Sequence, residues 1–344
     1  MPAPIAILGA GSFGTALALL CAERHEVALW ARRPELAEAM RSERRNPLYL
    51  SEFALPDAVR ATADLAEALD GRELVLCALP SHGLRAVLTR AQPHLAAGAI
   101  VVCATKGLEE ASGLTMNQVL EQVLPEAWHP RLVALSGPSF AREIALRNPT
   151  AVTLACRKET YAIAVQTTLS CPWFRCYTSD DPLGVQLAGA LKNVVAVAAG
   201  ISDGLALGPN SRAALMTRGL AEIARLGVRL GASPFTFLGL AGVGDLLLTC
   251  TSDLSRNRQV GLALGRGRKL DEVLSATRQV AEGVRTTHAV CALASGLGVE
   301  VPVAEAVRSV LAGDRVPAQA LGALMTRQLE SESEWMLLVP AALR

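Results

Sequence analysis

A short stretch near the start of the chain restricts the fold more than any other part of it. Ile5–Leu8 is an apolar run of strand type that leads directly into Gly9-Ala10-Gly11-Ser12-Phe13-Gly14 and then into an Ala/Leu-rich segment of helical type. A β-turn-α phosphate cradle needs glycines at this spacing. Gly9 permits the tight turn, Gly11 lets backbone approach a pyrophosphate, and Gly14 lets the helix lie close on the strand. The free amides at the helix start attract the anion. The same residues elsewhere would be an ordinary glycine-rich turn, and it is the flanking strand and helix that favour dinucleotide binding.

The next 170 residues continue the same pattern. Strand-like runs at Ile5–Leu8, Val27–Trp30, Leu74–Leu79, Ile100–Cys103, Leu132–Leu135 and Ala151–Ala155 alternate with helical patterns at 14–24, 34–44, 82–91, 115–124 and 159–169. This alternation is that of a parallel sheet with crossover helices. Beyond the TSDDP segment at 178–182 the strand signals stop, and helical patterns are read at 183–203, 211–230, 256–265, 270–275, 283–297 and 302–312. The expected fold is α/β: a Rossmann-type dinucleotide-binding domain over 1–181 and a predominantly α-helical domain over 182–344 that binds substrate and dimerises.

Composition removes several function classes. With 33 basic and 32 acidic residues the formal charge is +1, which argues against a nucleic-acid footprint and points to a small substrate. The eight cysteines form no C-x-x-C pair and no histidine stands at metal-ligand spacing, so reduced thiols and no metal are expected. The opening MPAPIAILGAG has neither a basic n-region nor a cleavage site, so a cytoplasmic protein is expected. The long apolar run Leu183–Leu207 contains Gln186, Lys192, Asn193 and Asp203, which suits a buried helix better than a membrane span.

Candidate site residues emerge from misplaced polarity. The second strand ends in Trp30-Ala31-Arg32-Arg33, where an NAD-specific site would carry an acid for the ribose hydroxyls. Two guanidiniums suit a 2′-phosphate instead, so NADP(H) is preferred and NAD(H) possible; the alternative is a pair of solvated arginines. Lys192 has Ala188, Gly189, Val195 and Ala196 as its helical neighbours, an apolar setting that disfavours the ammonium and makes the amine usable as a general base. The alternative is a buried lysine paired to a carboxylate.

Asn193 adjoins Lys192, and Gly189, Ala196 and Gly200 leave room for another element to approach. Asp245 comes after closely spaced glycines in Gly239-Leu240-Ala241-Gly242-Val243-Gly244, as a ligand-facing carboxylate or as a helix cap. The donor-rich 249–258 stretch, with Ser255, Arg256 and Asn257, reads either as a phosphate-binding helix start or as a capped, solvated one. Lys106 and Ser139 come just after strands of the first domain, at the carboxyl ends where open sheets bind ligands and where surface turns are also common.

Eight blocks in order, GAGSFGTALA (9–18), ATKGLE (104–109), LSGPSFARE (135–143), NPTAV (148–152), GALKNVVAVAAGISDGL (189–205), LAGVGDL (240–246), TCTSDLSRNR (249–258) and VAEGVRT (280–286), make the chain resemble the bacterial NAD(P)-dependent glycerol-3-phosphate dehydrogenases over nearly its whole length. The resemblance implies that Lys192 is the proton acceptor and that Lys106, Gly137, Ser139, Asp245, Ser255, Arg256 and Asn257 contact glycerol 3-phosphate. It also implies that Ser12, Phe13, Arg32, Arg33, Lys106, Ala141, Arg256, Val280 and Glu282 line the cofactor, beside Gly9, Gly11 and Gly14 of the loop. It further implies a homodimer that supplies glycerol phosphate for phospholipids. Two places depart from the family pattern: Phe13 stands where Trp is frequent, and Leu50-Ser51-Glu52-Phe53 replaces the common Leu-Pro-Gly turn after Tyr49. The rival readings are a 2- or 3-hydroxy-acid dehydrogenase of similar build and a non-catalytic NADP-sensing protein.

Overall fold

The computed structural model describes residues 4–275 and 281–326. They divide into two compact units, the first holding the chain up to Thr105 together with Met116–Pro182, the second Lys106–Thr115 and the chain from Leu183 onward. Each unit has its own apolar core.

The first unit is an eight-stranded sheet, β1 (Ile5–Leu8), β2 (Val27–Trp30), β3 (Val59–Thr62), β4 (Leu74–Cys77), β5 (Ile100–Cys103), β6 (Leu132–Ser136), β7 (Thr150–Ala155) and β8 (Phe174–Ser179). The helices α1 (Ser12–Cys21), α2 (Pro34–Glu43), α3 (Leu65–Leu69), α4 (Ser81–Ala91), α5 (Met116–Val123), α6 (Ala141–Ala145) and α7 (Glu159–Leu169) alternate with the strands. The spatial order of the strands is β3-β2-β1-β4-β5-β6-β7-β8. β1, β2, β4 and β6 are buried at every residue, which is why they read as unbroken apolar runs and not as an alternation. From β1 the chain moves outward to β2 and β3, then returns on the other side of β1 as β4, so the sheet reverses its winding at the carboxyl ends of β1 and β4. Gly9 lies there: a Cβ on it would stand 2.5 Å from the Ala78 carbonyl oxygen just after β4.

The expected all-parallel sheet needs one correction. β7 runs antiparallel to β6, pairing Ala134 with Ala155, and β8 is parallel to β7. The connection between β6 and β7 contains only α6 and turns back without a full crossover, whereas α7 provides the crossover that β8 needs. β3 and β8 were not expected from the sequence. They are the edge strands, and Arg60, Arg175 and Tyr177 on their open faces interrupt the apolar pattern.

The second unit is helical: α8 (Pro182–Gly204), α9 (Gly208–Arg229), α10 (Asp245–Thr251), α11 (Arg256–Gly265), α12 (Leu270–Ser275), α13 (Glu282–Leu297), α14 (Pro302–Leu311) and α15 (Pro317–Met325). α8 is long and apolar enough to cross a membrane by length and composition, and its most apolar window is wholly buried inside the protein. Its glycines explain how. A Cβ on Gly200 or Gly204 would come within 2.1 or 2.5 Å of the carbonyl oxygens of Arg258 and Leu262 on α11. One on Gly261 or Gly265 of α11 would come within 2.0 or 2.4 Å of those of Val197 and Ile201. Spaced four apart on both helices, these glycines let α8 and α11 meet backbone to backbone.

An ion network closes the end of that seam. Arg258 gives Nε to Asp203 at 2.9 Å and Nη1 to Asp253 at 2.7 Å, while Arg212 holds the other Asp203 oxygen at 3.0 Å. Elsewhere in this unit, buried Glu222 on α9 accepts the Val303 and Ala304 amides at 2.7 and 3.3 Å, capping α14 from another helix.

Candidate active site

In the second unit, residues far apart in sequence converge on one carboxylate. Gly242 carries a non-helical backbone inside the turn Leu240–Gly244, and a Cβ there would lie 2.0 Å from the Phe237 carbonyl oxygen. That close reversal ends by setting Asp245 as the first residue of α10, where the helix dipole favours its charge. The side chain is not spent on capping. Lys192 Nζ donates to Asp245 Oδ1 at 2.5 Å, and Lys106 Nζ donates to Oδ2 at 2.6 Å. Lys106 reaches it from the 106–115 loop, which closes on itself through a Leu108–Thr115 bridge and buries Leu108 in this unit's core.

Lys192 therefore has the carboxylate partner of the plainer alternative reading, yet its ammonium is disfavoured. Burial pushes its amine down to about 8, against the pull of Asp245, and the like charge of Lys106 adds to the fall. The Asp245 carboxyl is pushed up by burial, but the two ammonium groups outweigh this and hold it below the ordinary range. One carboxylate shared by two lysines cannot fully compensate the buried Lys192 ammonium. Thr249, one turn after Asp245 on α10, accepts from Lys192 Nζ at 2.8 Å and fixes its direction. Thr249 stands in the donor-rich 249–258 stretch with no individual role evident from sequence, although its spacing of four from Asp245 places both on one helix face. Burial raises the adjacent Cys250 thiol to about 12 despite Lys192, so no thiolate competes with the amine.

The start of α11 adds polar groups to the same unit. Ser255 caps the helix by accepting the Arg258 amide at 3.3 Å, Arg256 is exposed on the first turn, and Asn257 is buried. Asn257 donates to Asn193 at 2.9 Å and accepts the Gly283 amide at 2.9 Å, tying α11 to α8 and to the first turn of α13, where Glu282 is half-buried. Arg256 also lines an open cavity of about 520 Å³ with Gln259, Arg266, Arg268 and Val273, a cavity to which Lys192 does not contribute. Val280 lies outside the described residues.

In the first unit the glycine loop is shaped to hold an anion. Gly9 has φ of +116°, and a Cβ on Gly14 would lie 1.8 Å from the Gly9 carbonyl oxygen, so both positions require glycine. A Cβ on Gly11 would meet nothing within 4 Å, leaving its face open to a ligand. α1 begins without a side-chain cap, and Ser12 and Phe13, both partly exposed, supply its first amides. Arg32 and Arg33 are exposed just past the carboxyl end of β2. These features fit a dinucleotide bearing a 2′-phosphate. Gly137 has φ of +141°, and β7 passes so close that Val152 Cα lies 2.9 Å from where a Cβ would be. The buried Ser139 hydroxyl closes the same turn by donating to the Gly137 carbonyl at 2.9 Å, and Ala141 opens α6.

A Rossmann-type sheet with its glycine loop at the reversal point, in a chain that also carries a buried lysine of lowered pKa in a helical unit, defines a nucleotide-dependent oxidoreductase of the two-unit class. The chain belongs to the NAD-dependent glycerol-3-phosphate dehydrogenase family, whose N-terminal model matches residues 4–162 and whose C-terminal model matches 181–322. A relative named glycerol-3-phosphate dehydrogenase [NAD(P)+] from Syntrophotalea carbinolica is 51% identical over 331 residues, 96% of this chain and 99% of that protein. The crystal structure of a glycerol-3-phosphate dehydrogenase from Coxiella burnetii is 41% identical and covers 95% of this chain and 99% of its own, with a TM-score of 0.90. A ketopantoate reductase from Ralstonia eutropha, at 16% identity, coverage of 92% and 99%, and a TM-score of 0.60, shares the fold alone.

Proposed function

We propose that this chain interconverts sn-glycerol 3-phosphate and dihydroxyacetone phosphate with NADPH or NADH, preferring NADPH, and supplies glycerol 3-phosphate for phospholipid synthesis. The observation that carries the reading is the buried Lys192 amine, pushed down to about 8 and aimed by Asp245 and Thr249. In the oxidation direction neutral Lys192 takes the C2 hydroxyl proton as the C2 oxygen becomes a carbonyl; in reduction the ammonium returns it. When bound, the nicotinamide accepts or supplies the hydride.

Gly9, Gly11, Ser12, Phe13 and Gly14 hold the dinucleotide pyrophosphate, and Arg32 and Arg33 take the 2′-phosphate. Ala141, Val280 and Glu282 complete the cofactor lining by family likeness. Arg256 and Asn257 grip the substrate phosphate with help from Lys106, and Ser255, Gly137 and Ser139 complete the substrate contacts. Asp245 keeps both lysines in register and leaves the cluster with net positive charge when Lys192 is protonated, which favours a phosphate dianion.

Residues 1–181 form the NADP-binding domain and 182–344 the substrate-binding and dimerisation domain of a cytoplasmic homodimer. The test mixes purified protein with NADPH and dihydroxyacetone phosphate and monitors absorbance of the reduced nicotinamide. Rapid oxidation supports the reading. Oxidation with a 2-keto acid but none with the triose phosphate would establish the hydroxy-acid rival, and nucleotide binding without oxidation of either would establish the sensing rival.

A further inference from the structure

Asn46 lies in the segment between α2 and β3, outside the glycine motif, yet it is fully buried and every hydrogen-bonding position on its amide is filled. Nδ2 donates to the Ala10 carbonyl at 3.0 Å and to the Thr15 hydroxyl of α1 at 2.9 Å. Oδ1 accepts the amides of Leu48 and Tyr49 at 3.1 and 3.2 Å. The segment around it is itself held firmly. Arg44 takes a left-handed backbone, φ of +51°, and directs its guanidinium to the carbonyls of Leu55, Pro56 and Val59. Leu50, also left-handed at +56°, closes the turn to Phe53 with a 3.0 Å bond and packs on the core of the unit. An anchored side chain therefore reaches into the glycine loop from a rigid support.

Peptide geometry gives this anchor its effect. A trans peptide is planar, with its C=O and N–H on opposite sides. Ala10 O and Gly11 N belong to one such plane, so drawing that carbonyl inward to Asn46 turns the Gly11 N–H outward. Gly11 has extended backbone, φ −78° and ψ −176°, and its outer face is the open one where a Cβ would touch nothing within 4 Å. We propose that Asn46 is a positioning residue for the dinucleotide: by holding the Ala10–Gly11 peptide in one orientation it presents the Gly11 amide to the pyrophosphate. Only a neutral amide serves. Asp has no donor for the Ala10 carbonyl, and the inverted amide would set carbonyl against carbonyl. The inference rests on the dinucleotide reading of the first unit, and the two are separated in the test.

Calorimetric titration with NADP+ and NADPH measures Kd for the full chain, for Asn46→Ser and for Thr15→Val. Tight binding by the unaltered chain tests the dinucleotide reading on its own; no binding there overturns both that reading and this inference. N46S is too short to reach Ala10 O, and losing one charge-assisted hydrogen bond predicts a Kd weaker by about tenfold or more. T15V removes the other Asn46 partner but leaves Ala10 held, so its Kd stays within about twofold although its thermal midpoint falls as buried Asn46 loses a bond. A folded N46S that binds nucleotide within twofold of the unaltered chain overturns the proposal, as does a T15V that loses affinity equally. Should N46S not fold, amide hydrogen exchange at Gly11 of the unaltered chain is measured with and without saturating NADP+: slowed exchange on binding upholds the proposal, and unchanged exchange overturns it.

Discussion

Replacing Gly261 by alanine tests whether the backbone seam between α8 and α11 sets the geometry of the candidate site. The new methyl would stand 2.0 Å from the Val197 carbonyl oxygen and 2.9 Å from the Ile201 amide nitrogen, both backbone atoms that no rotamer change can move. Restoring ordinary contact separates the helices locally by about 1.4 Å, an overpacking that costs about 1–3 kcal/mol, against up to about 1 kcal/mol returned by alanine's helix preference. α8 carries Lys192 and Asn193, while α11 carries Arg256 and Asn257, so the shift pulls the proposed base away from the proposed phosphate grip. A misplacement of this size predicts a fall in kcat/KM for dihydroxyacetone phosphate of about tenfold to a hundredfold. Nucleotide affinity falls less, since the glycine loop, Arg32 and Arg33 lie in the first unit. Gly296→Ala on α13 is the control, since a methyl there meets nothing within 4 Å and is expected to be neutral or slightly stabilising. Initial rates, NADPH titration and an unfolding midpoint are measured for both variants. A folded G261A with the midpoint and kcat/KM of the unaltered chain would refute the argument.

Other expectations rest on single contacts. Replacing Arg32 and Arg33 together by alanine removes the guanidiniums assigned to the 2′-phosphate, so KM for NADPH rises at least tenfold while KM for NADH moves less than twofold; equal losses for both cofactors would sink that assignment. Burial raises the Glu222 carboxyl to about 7 from an unfolded value of 4.5, although the Val303 and Ala304 amides pull it down. The folded state thus binds the extra proton, and this group's stabilising contribution, present below pH 4.5, is lost as pH rises through 7, by about 3 kcal/mol. Glu222→Gln flattens the dependence of the thermal midpoint on pH between 4.5 and 7, and an unchanged slope would show that Glu222 is not its source.

The parts legible in the sequence are those written in local pattern. β1, the glycine loop and α1 are contiguous, and the apolar neighbours of Lys192 are one helical turn away. α11 and α12 begin and end where their periodicity does. What escaped depends on pairing across long separations or on direction. Thr249 and Lys192 are 57 residues apart, Arg258 and Asp203 55, and Asn46 and Ala10 36, so nothing in any of these neighbourhoods names its partner. The reversal of β7 escaped because an apolar strand reads the same in either direction, and the edge strands β3 and β8 because one side of each lacks a neighbour to impose an apolar pattern. The Lys192–Asp245 ion pair was weighed as an alternative to catalysis, whereas one carboxylate shared with Lys106 allows both.

The pH dependence of kcat/KM for glycerol 3-phosphate oxidation bears most directly on Lys192 as the proton-exchanging group. The profile is expected to rise with pH through a limb near 8 as the amine becomes neutral, and to fall through the same range in the reduction direction, which needs the ammonium. Lys192→Ala is expected to remove the limb and lower the rate by about 10²–10⁴. A folded Lys192→Ala protein that turns over at the original rate, or that keeps the limb near 8, would contradict the account.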